Sequence, residues 1–268
     1  MIFYKRPKKS LGQNFLIDKN IIKKIVNIGK ISNKTVVIEI GAGTGNMTNE
    51  IIKLNPKKII LIEKDEKLAK ILEEKFEKNQ NVQVINKDIL EYIEDELYLE
   101  NVIVYGNLPY NISTQIISKL ISLNKWPPWY SKLIFMFQKE VAERIIAKSG
   151  SENFNRLAVL CNWRLNIEKH FNISNNCFAP KPKIDSSLLS FKPKKNFKSN
   201  IKNPKNLEFV TRILFANPRK MINKNLLKLF KKNLITIKNM KINVKSRPKE
   251  LSSEMYYKIT SSYEKLFK

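Results

Sequence analysis

Two cysteines, Cys161 and Cys177, are too few for a disulfide framework or a four-cysteine zinc site. One histidine, His170, argues against a Ser-His-Asp mechanism and against a His-rich metal centre. No apolar run approaches the ~20 residues that span a bilayer. The start, MIFYKRPKKS, places a short apolar stretch before its basic residues, the reverse of a secretory leader. A cytoplasmic protein with no membrane attachment is expected. Acidic residues are also scarce, 24 against 50 Lys+Arg, which leaves a net charge of +26. These shortages weigh against secreted scaffolds, membrane proteins and most hydrolases.

What is present suits a polyanionic partner, most often nucleic acid. Richness in Lys, Asn and Ile together is also the mark of AT-rich codons, so charge alone does not decide. The charge is unevenly placed. From Lys192 onward, 21 Lys+Arg stand against four acids, giving +17 of the total. The stretch FKPKKNFKSNIKNPKN (191–206) reads as a linker. Beyond it, Leu207, Val210, Leu214 and Phe215, then Met221, Ile222, Leu226, Leu229 and Phe230, recur at helical spacing, with a helix expected near 215–225. Two domains follow: 1–195, and a small, basic, all-helical domain at 196–268.

The first part alternates strand-like and helix-like blocks. VVIEI (36–40), IILIE (59–63), VQVIN (82–86), VIVYG (102–106) and LIFMF (133–137) are short and apolar. Helical patterns lie between them, clearest at 66–78 and 112–123. This is the signature of an α/β fold with a mostly parallel sheet covered on both faces. SSLLSF (186–191) and NIEKHF (166–171) are expected as antiparallel edge strands.

The first strand runs into Gly41-Ala42-Gly43-Thr44-Gly45, where the crevice at the strand ends is the default ligand position. A dinucleotide fingerprint needs a third glycine where this chain has Asn46. Glu63 closes the second strand, placed to accept hydrogen bonds from both hydroxyls of a ribose. Asp88 closes the third, placed to accept from an adenine amine. For each alone, a surface acid that caps the next helix is the favoured reading. Together they favour an adenosine cofactor without a pyrophosphate, and S-adenosylmethionine fits.

The fourth strand ends in Gly106-Asn107-Leu108-Pro109-Tyr110-Asn111. Proline fixes the direction of neighbouring carbonyls, Asn107 adds a side-chain acceptor and Tyr110 a flat ring. Such a corner can hold a planar amine. Adenine N6 is a poor nucleophile because its lone pair is delocalised, and acceptors that draw its hydrogens out of plane localise that pair. Stacking on Tyr110 contributes roughly 1–3 kcal/mol.

With these residues in place, the chain resembles the ribosomal RNA adenine N6-dimethyltransferases, and more narrowly their small-subunit, kasugamycin-resistance branch. The resemblance runs from Lys9-Ser10-Leu11-Gly12-Gln13-Asn14-Phe15-Leu16, through Glu39-Ile40-Gly41-Ala42-Gly43, Glu63, Asp88 and Asn107 to Ser113. It continues through Gln138-Lys139-Glu140-Val141-Ala142 and Arg144 to Phe178-Ala179-Pro180-Lys181-Pro182-Lys183-Ile184-Asp185-Ser186-Ser187. It implies a Rossmann-like, S-adenosylmethionine-dependent methyltransferase domain with a seven-stranded sheet, and no metal. It implies cofactor contacts from Asn14, Leu16, Gly41, Glu63, Asp88 and Asn107. The target adenine is held by Asn107, Pro109 and Tyr110, with Phe178 either facing the flipped base or packed in the core. The implied partner is small-subunit rRNA in a partly assembled ribosomal subunit, met by a monomer.

Leu108, Asp185 and Arg219-Lys220 favour the small-subunit branch over the large-subunit, macrolide-resistance branch, while Asn217-Pro218 departs from the family pattern. A nicotinamide dehydrogenase is disfavoured by Asn46, and a non-catalytic factor by the presence of Gly41, Glu63, Asp88 and Asn107. His170 is expected to be structural and Cys161 to lie in the core. Trp126-Pro127-Pro128-Trp129 reads as a packed loop. Lys5, Arg6, Lys8 and Lys9 read as a phosphate clamp beside the active site or as a solvated tail, the clamp being favoured in a chain bound for RNA.

Overall fold

The protein is described by a computed structural model over residues 12–93, 99–195 and 200–267. The basic cluster Lys5–Lys9 and the expected boundary at 195/196 touch residues outside that range. In chain order the first elements are β1 (Phe15–Leu16), α1 (Lys19–Ile28), β2 (Val36–Ile40), α2 (Asn46–Ile52), β3 (Lys58–Glu63) and α3 (Glu66–Phe76). Next come β4 (Val82–Asn86), α4 (Ile89–Tyr92), β5 (Val102–Asn107), α5 (Ser113–Ile121) and β6 (Tyr130–Gln138). Then follow α6 (Lys139–Ile146), α7 (Arg156–Arg164), β7 (Leu165–Ile173), β8 (Phe178–Ala179) and β9 (Ser186–Pro193). The chain closes with α8 (Pro204–Leu214), α9 (Asn223–Leu229), α10 (Leu234–Asn239) and α11 (Ser253–Phe267).

Seven strands form one sheet in the order β4-β3-β2-β5-β6-β9-β7. The pairs β4–β3, β3–β2, β2–β5 and β5–β6 are parallel, and β6–β9 is antiparallel. The five apolar runs become β2 to β6. The inner strands are largely covered on both faces and have no polar side to show, while the edge strand β4 exposes Gln83 and Asn86. Every residue of β2 is buried. Asp18 starts α1 by accepting from the Asn20 and Ile21 N–H groups, and Asp65 starts α3 by accepting from Lys67 N–H. Such caps contribute about 1 kcal/mol each.

Two expectations need correction. SSLLSF is not an edge strand: β9 lies between β6 and β7, and Ser186 to Phe191 are all buried. Its serines are satisfied inside the sheet, Ser187 by Asn172 (2.8 Å) and Ser190 by His170 (2.8 Å). Nor is there a helix through 215–225. Turns occupy 215–222 and α9 begins at Asn223. Pro218 lacks the N–H that a helix through this stretch would need. Met221, counted among the core positions, is accordingly 51% exposed.

The chain divides into two compact units, the first being Met1–Leu120, Lys125–Ala142 and Asn166–Pro193. The second contains Ile121–Asn124 and Glu143–Leu165 as well as Lys194–Lys268. Within the second unit α7 is held from both sides of the sequence. Arg164, 5% exposed, donates to the carbonyls of Ile121 and Leu123, and Tyr257 Oη donates to Val159 carbonyl at 3.1 Å. Buried Glu264 accepts from the N–H groups of Lys202 and Asn203 and from the Asn206 amide, which anchors α11 to the start of α8.

Among the described residues no helix is long and apolar enough to cross a membrane. Cys161 is fully buried, and His170 is bonded to Ser190.

Candidate active site

The order of the sheet reverses at β2: β3 and β4 extend to one side, β5 and β6 to the other. Parallel strands leave a crevice at their carboxyl ends where the order reverses. Ile40 of β2 faces Gly106 of β5, so Gly41 and Asn107 emerge side by side. A cavity of about 190 Å³ opens there. Asn14, Gly41, Glu63, Asp88, Asn107 and Pro109 all line it. Leu16, Tyr110 and Phe178, expected beside them, do not.

The glycine turn makes the floor. Gly41 has φ +67° and Gly43 φ +57°, a region that side chains avoid. A Cβ on Gly41 would meet nothing nearer than the Asn107 carbonyl at 4.0 Å, so its absence leaves room for a ligand. Gly43 N–H donates to Glu63 Oε2 (3.0 Å) and Asp65 N–H to Glu63 Oε1 (2.9 Å). Burial pushes the Glu63 carboxyl above its usual range, and these two donors oppose the rise. A carboxylate oxygen can accept more than one hydrogen bond, so Glu63, which lines the cavity, has acceptor capacity beyond these two donors.

Of the two readings open to Asp88, the helix cap is seen directly: it caps α4, accepting from Leu90 N–H at 2.9 Å, and the residue also lines the cavity. Its other oxygen pairs with Lys64 at 2.7 Å. Burial raises its carboxyl, but the Lys64 ammonium and the Leu90 N–H outweigh that and hold it below the ordinary carboxylate range. Asp88 is therefore ionised.

Asn107 sits at the end of β5, and its Nδ2 donates to the Asn14 carbonyl at 2.7 Å. That bond fixes which end of the amide faces where and leaves Oδ1 as the acceptor. Tyr110 is half-buried, its hydroxyl 2.8 Å from Ser186 Oγ. Burial, partly offset by Ser186, raises its phenol.

Leu16 and Phe178 face each other across the β1–β8 ribbon, 5% and 3% exposed, in one apolar cluster with Ile22 and Ile25. Of the two positions open to Phe178, the structure gives it the core. Lys64, Lys87 and Asn111 line the cavity without having been anticipated. Glu39 lies beneath the turn and accepts from Thr48 Oγ1 at 2.7 Å. Burial, against that bond, pushes its carboxyl up to about 8.

The donor set fits an adenosine cofactor. Two carboxyl groups stand at neighbouring strand ends, able to accept from hydroxyls and an amine, and the turn carries no Cβ at Gly41 or Gly43.

Known proteins agree with this geometry. The profile of the ribosomal RNA adenine dimethylase family matches residues 4–265. A ribosomal RNA small subunit methyltransferase A from Pelagibacter ubique is 46% identical over 261 residues, covering 97% of this chain and 98% of its own. One from Wolbachia pipientis is 38% identical over 255 residues, covering 95% of each chain. The crystal structure of a dimethyladenosine transferase from Plasmodium falciparum superposes with a TM-score of 0.75 at 27% identity, covering 91% of this chain and 95% of that one. The 23S rRNA methyltransferase ErmE shares the fold, with a TM-score of 0.67 at 21% identity over 95% of this chain and 100% of its own. With its glycine turn, its strand-end acids, Asn107 and Pro109 on one cavity, and its match to the family profile over nearly its whole length, this chain belongs to the ribosomal RNA adenine dimethylase family.

Proposed function

We propose that this chain transfers methyl groups from S-adenosylmethionine to N6 of two adjacent adenosines near the 3′ end of small-subunit rRNA. It dimethylates both, acting as a monomer on a partly assembled subunit. The observation that carries this is the joining of two half-sites on one cavity: acids suited to an adenosine, and an asparagine amide with its oxygen free to accept.

In this reading Glu63 takes the ribose hydroxyls, Asp88 the adenine amine, and Gly41 and Asn14 the remainder of the cofactor. S-adenosylmethionine supplies a methyl on a sulfonium, already electrophilic, so the chain needs no nucleophile of its own. Its task is positioning and electrostatics. Asn107 Oδ1 accepts from the target amine, favouring a pyramidal nitrogen with a localised lone pair. One proton leaves that nitrogen with each methyl gained. Pro109 fixes the corner, and the Tyr110 ring, anchored through its hydroxyl, stacks on the base. Phe178 supports the base from the core by holding β1 in place. The lysine-rich helices of the second unit dock on RNA phosphates.

Mass spectrometry of rRNA from cells with and without the gene tests this. Loss of two neighbouring dimethyladenosines from small-subunit rRNA is expected. Loss of a large-subunit methylation, or no change, contradicts it.

A further inference from the structure

Residues 12–18 form a strap with two different edges. On one edge it pairs with β8: Phe15 faces Ala179, Leu16 faces Phe178, and Ile17 N–H donates to the Cys177 carbonyl at 2.9 Å. Main-chain groups two residues apart on a strand point the same way. The carbonyls of Asn14 and Leu16 therefore lie on the opposite edge, and no strand pairs with it among the described residues. Two asparagine side chains take a strand's place. Asn107 Nδ2 donates to the Asn14 carbonyl at 2.7 Å, and Asn46 Nδ2 donates to the Leu16 carbonyl at 2.9 Å.

Asn107 lines the cavity and Asn46 does not. Asn46 is the first residue of α2, at the position where a dinucleotide fingerprint has its third glycine. Its amide reaches across to the strap, 30 residues away in sequence. Beside it the Phe15 ring lies so close over the glycine turn that a Cβ on Gly43 would come within 2.8 Å of it. Gln13 adds a bond to Asp65 at 3.2 Å.

We propose that Asn46 is a positioning residue that holds the strap against the glycine turn and so tightens cofactor binding without touching the cofactor. This rests on S-adenosylmethionine being the ligand of the cavity. Gly12, Gln13, Asn14 and Phe15 form one wall of that cavity. A wall ordered in advance spares the ligand the entropic cost of ordering it on binding. The bond requires a donor. Aspartate has the same size as asparagine but turns a carboxylate toward the Leu16 carbonyl. An acid at the first helical position is otherwise favoured by the helix dipole. Asn46→Asp therefore separates the two roles: a residue that served only α2 would tolerate it or gain from it.

The test is calorimetric titration of the full-length protein with S-adenosylhomocysteine, for wild type, Asn46→Ala and Asn46→Asp. Melting temperature and hydrogen exchange of residues 12–18 are measured on the ligand-free proteins. Asn46→Ala is expected to weaken binding about three- to tenfold, the size of one lost hydrogen bond. Asn46→Asp is expected to weaken it at least as much while melting no lower than Asn46→Ala. The Ile17 and Asp18 amides exchange faster in both. KM for the cofactor rises by the same factor, with kcat moving less than twofold. Wild-type affinity in both variants overturns the proposal, as does an affinity that falls only with the melting temperature. Failure of the wild type itself to bind S-adenosylhomocysteine overturns the cofactor reading instead.

Discussion

The two compact units use charge in opposite ways. In the cavity of the first, charges are few and both acids have named partners: Glu63 two backbone N–H groups, Asp88 the Lys64 ammonium and Leu90 N–H. In the second, positive side chains crowd the helices, and the acid that matters, Glu264, is buried as a structural anchor. A depression on α9 and the turn after it is lined by Lys224, Lys228, Lys231 and Lys232. Fixed pairs suit a ligand that must be held in one orientation. A field of lysines suits a backbone of repeated phosphates. One region should therefore fail at single residues, and the other only when many are changed.

The largest single-residue effect is expected at Asn107. Asn107→Ala removes an acceptor used chiefly in the transition state and is expected to slow single-turnover methylation on the order of 100-fold, by analogy with the loss of one oxyanion-hole donor. Tyr110→Ala comes next, losing roughly 1–3 kcal/mol of stacking that holds the base before reaction as well as during it. Tyr110→Phe keeps the ring and loses only the bond to Ser186, so turnover is expected to change little. Equal damage from both variants would show that the hydroxyl, and not the ring, matters.

Asp88→Asn is a sharper probe than Asp88→Ala, because asparagine still caps α4. Cofactor affinity is expected to fall about tenfold as a neutral acceptor replaces a charged one, with an unchanged melting temperature. Unaltered affinity in calorimetry would remove Asp88 from the cofactor's contacts.

The smallest effect concerns Glu39. Its carboxyl titrates at about 8 in the fold against 4.5 ordinarily. Between those values the folded protein holds a proton that the unfolded chain has lost. Stability attributable to this group therefore declines as pH rises from 4.5 and levels off above about 8. His170, lowered by burial, acts in the opposite direction and cancels in a comparison of variants. Glu39→Gln is expected to gain melting temperature relative to wild type between pH 5.5 and pH 8. A constant difference across that range would contradict the buried, protonated carboxyl.

The half of the molecule built on fixed pairs was also the more legible in sequence. Strands β2 to β6 announce themselves as apolar runs, and Gly41, Glu63, Asp88 and Asn107 stand at their ends because the fold places ligands there. β9 was harder, since SSLLSF has the composition of an edge, and only its pairing with β6 puts the serines inside. Asn46 counted only as a missing glycine; its bond to Leu16 depends on where a two-residue strand lies, and β1 is too short to carry a periodic signal. The 143–165 segment gave no sign of belonging with the C-terminal helices. Its attachment includes Tyr257 of α11 reaching the Val159 carbonyl, and periodicity says nothing about such a distant partner.

That attachment also shapes how the docking unit is best probed. Truncation after 195 would strip partners from α7, including the Tyr257 bond, so neutralising lysines in the intact chain is the cleaner change. Two variants placed side by side test the contrast between the units. They are Asn107→Ala and the fourfold Lys224, Lys228, Lys231 and Lys232→Gln, each assayed for single-turnover methylation and for binding to undermethylated small subunits across a salt series. Asn107→Ala is predicted to lose turnover and keep docking with its full salt dependence. The fourfold variant is predicted to dock more weakly with a shallower salt slope, and to recover near-normal turnover when subunits are saturating. Near-normal turnover in Asn107→Ala, or unchanged docking in the fourfold variant, would contradict this division of labour.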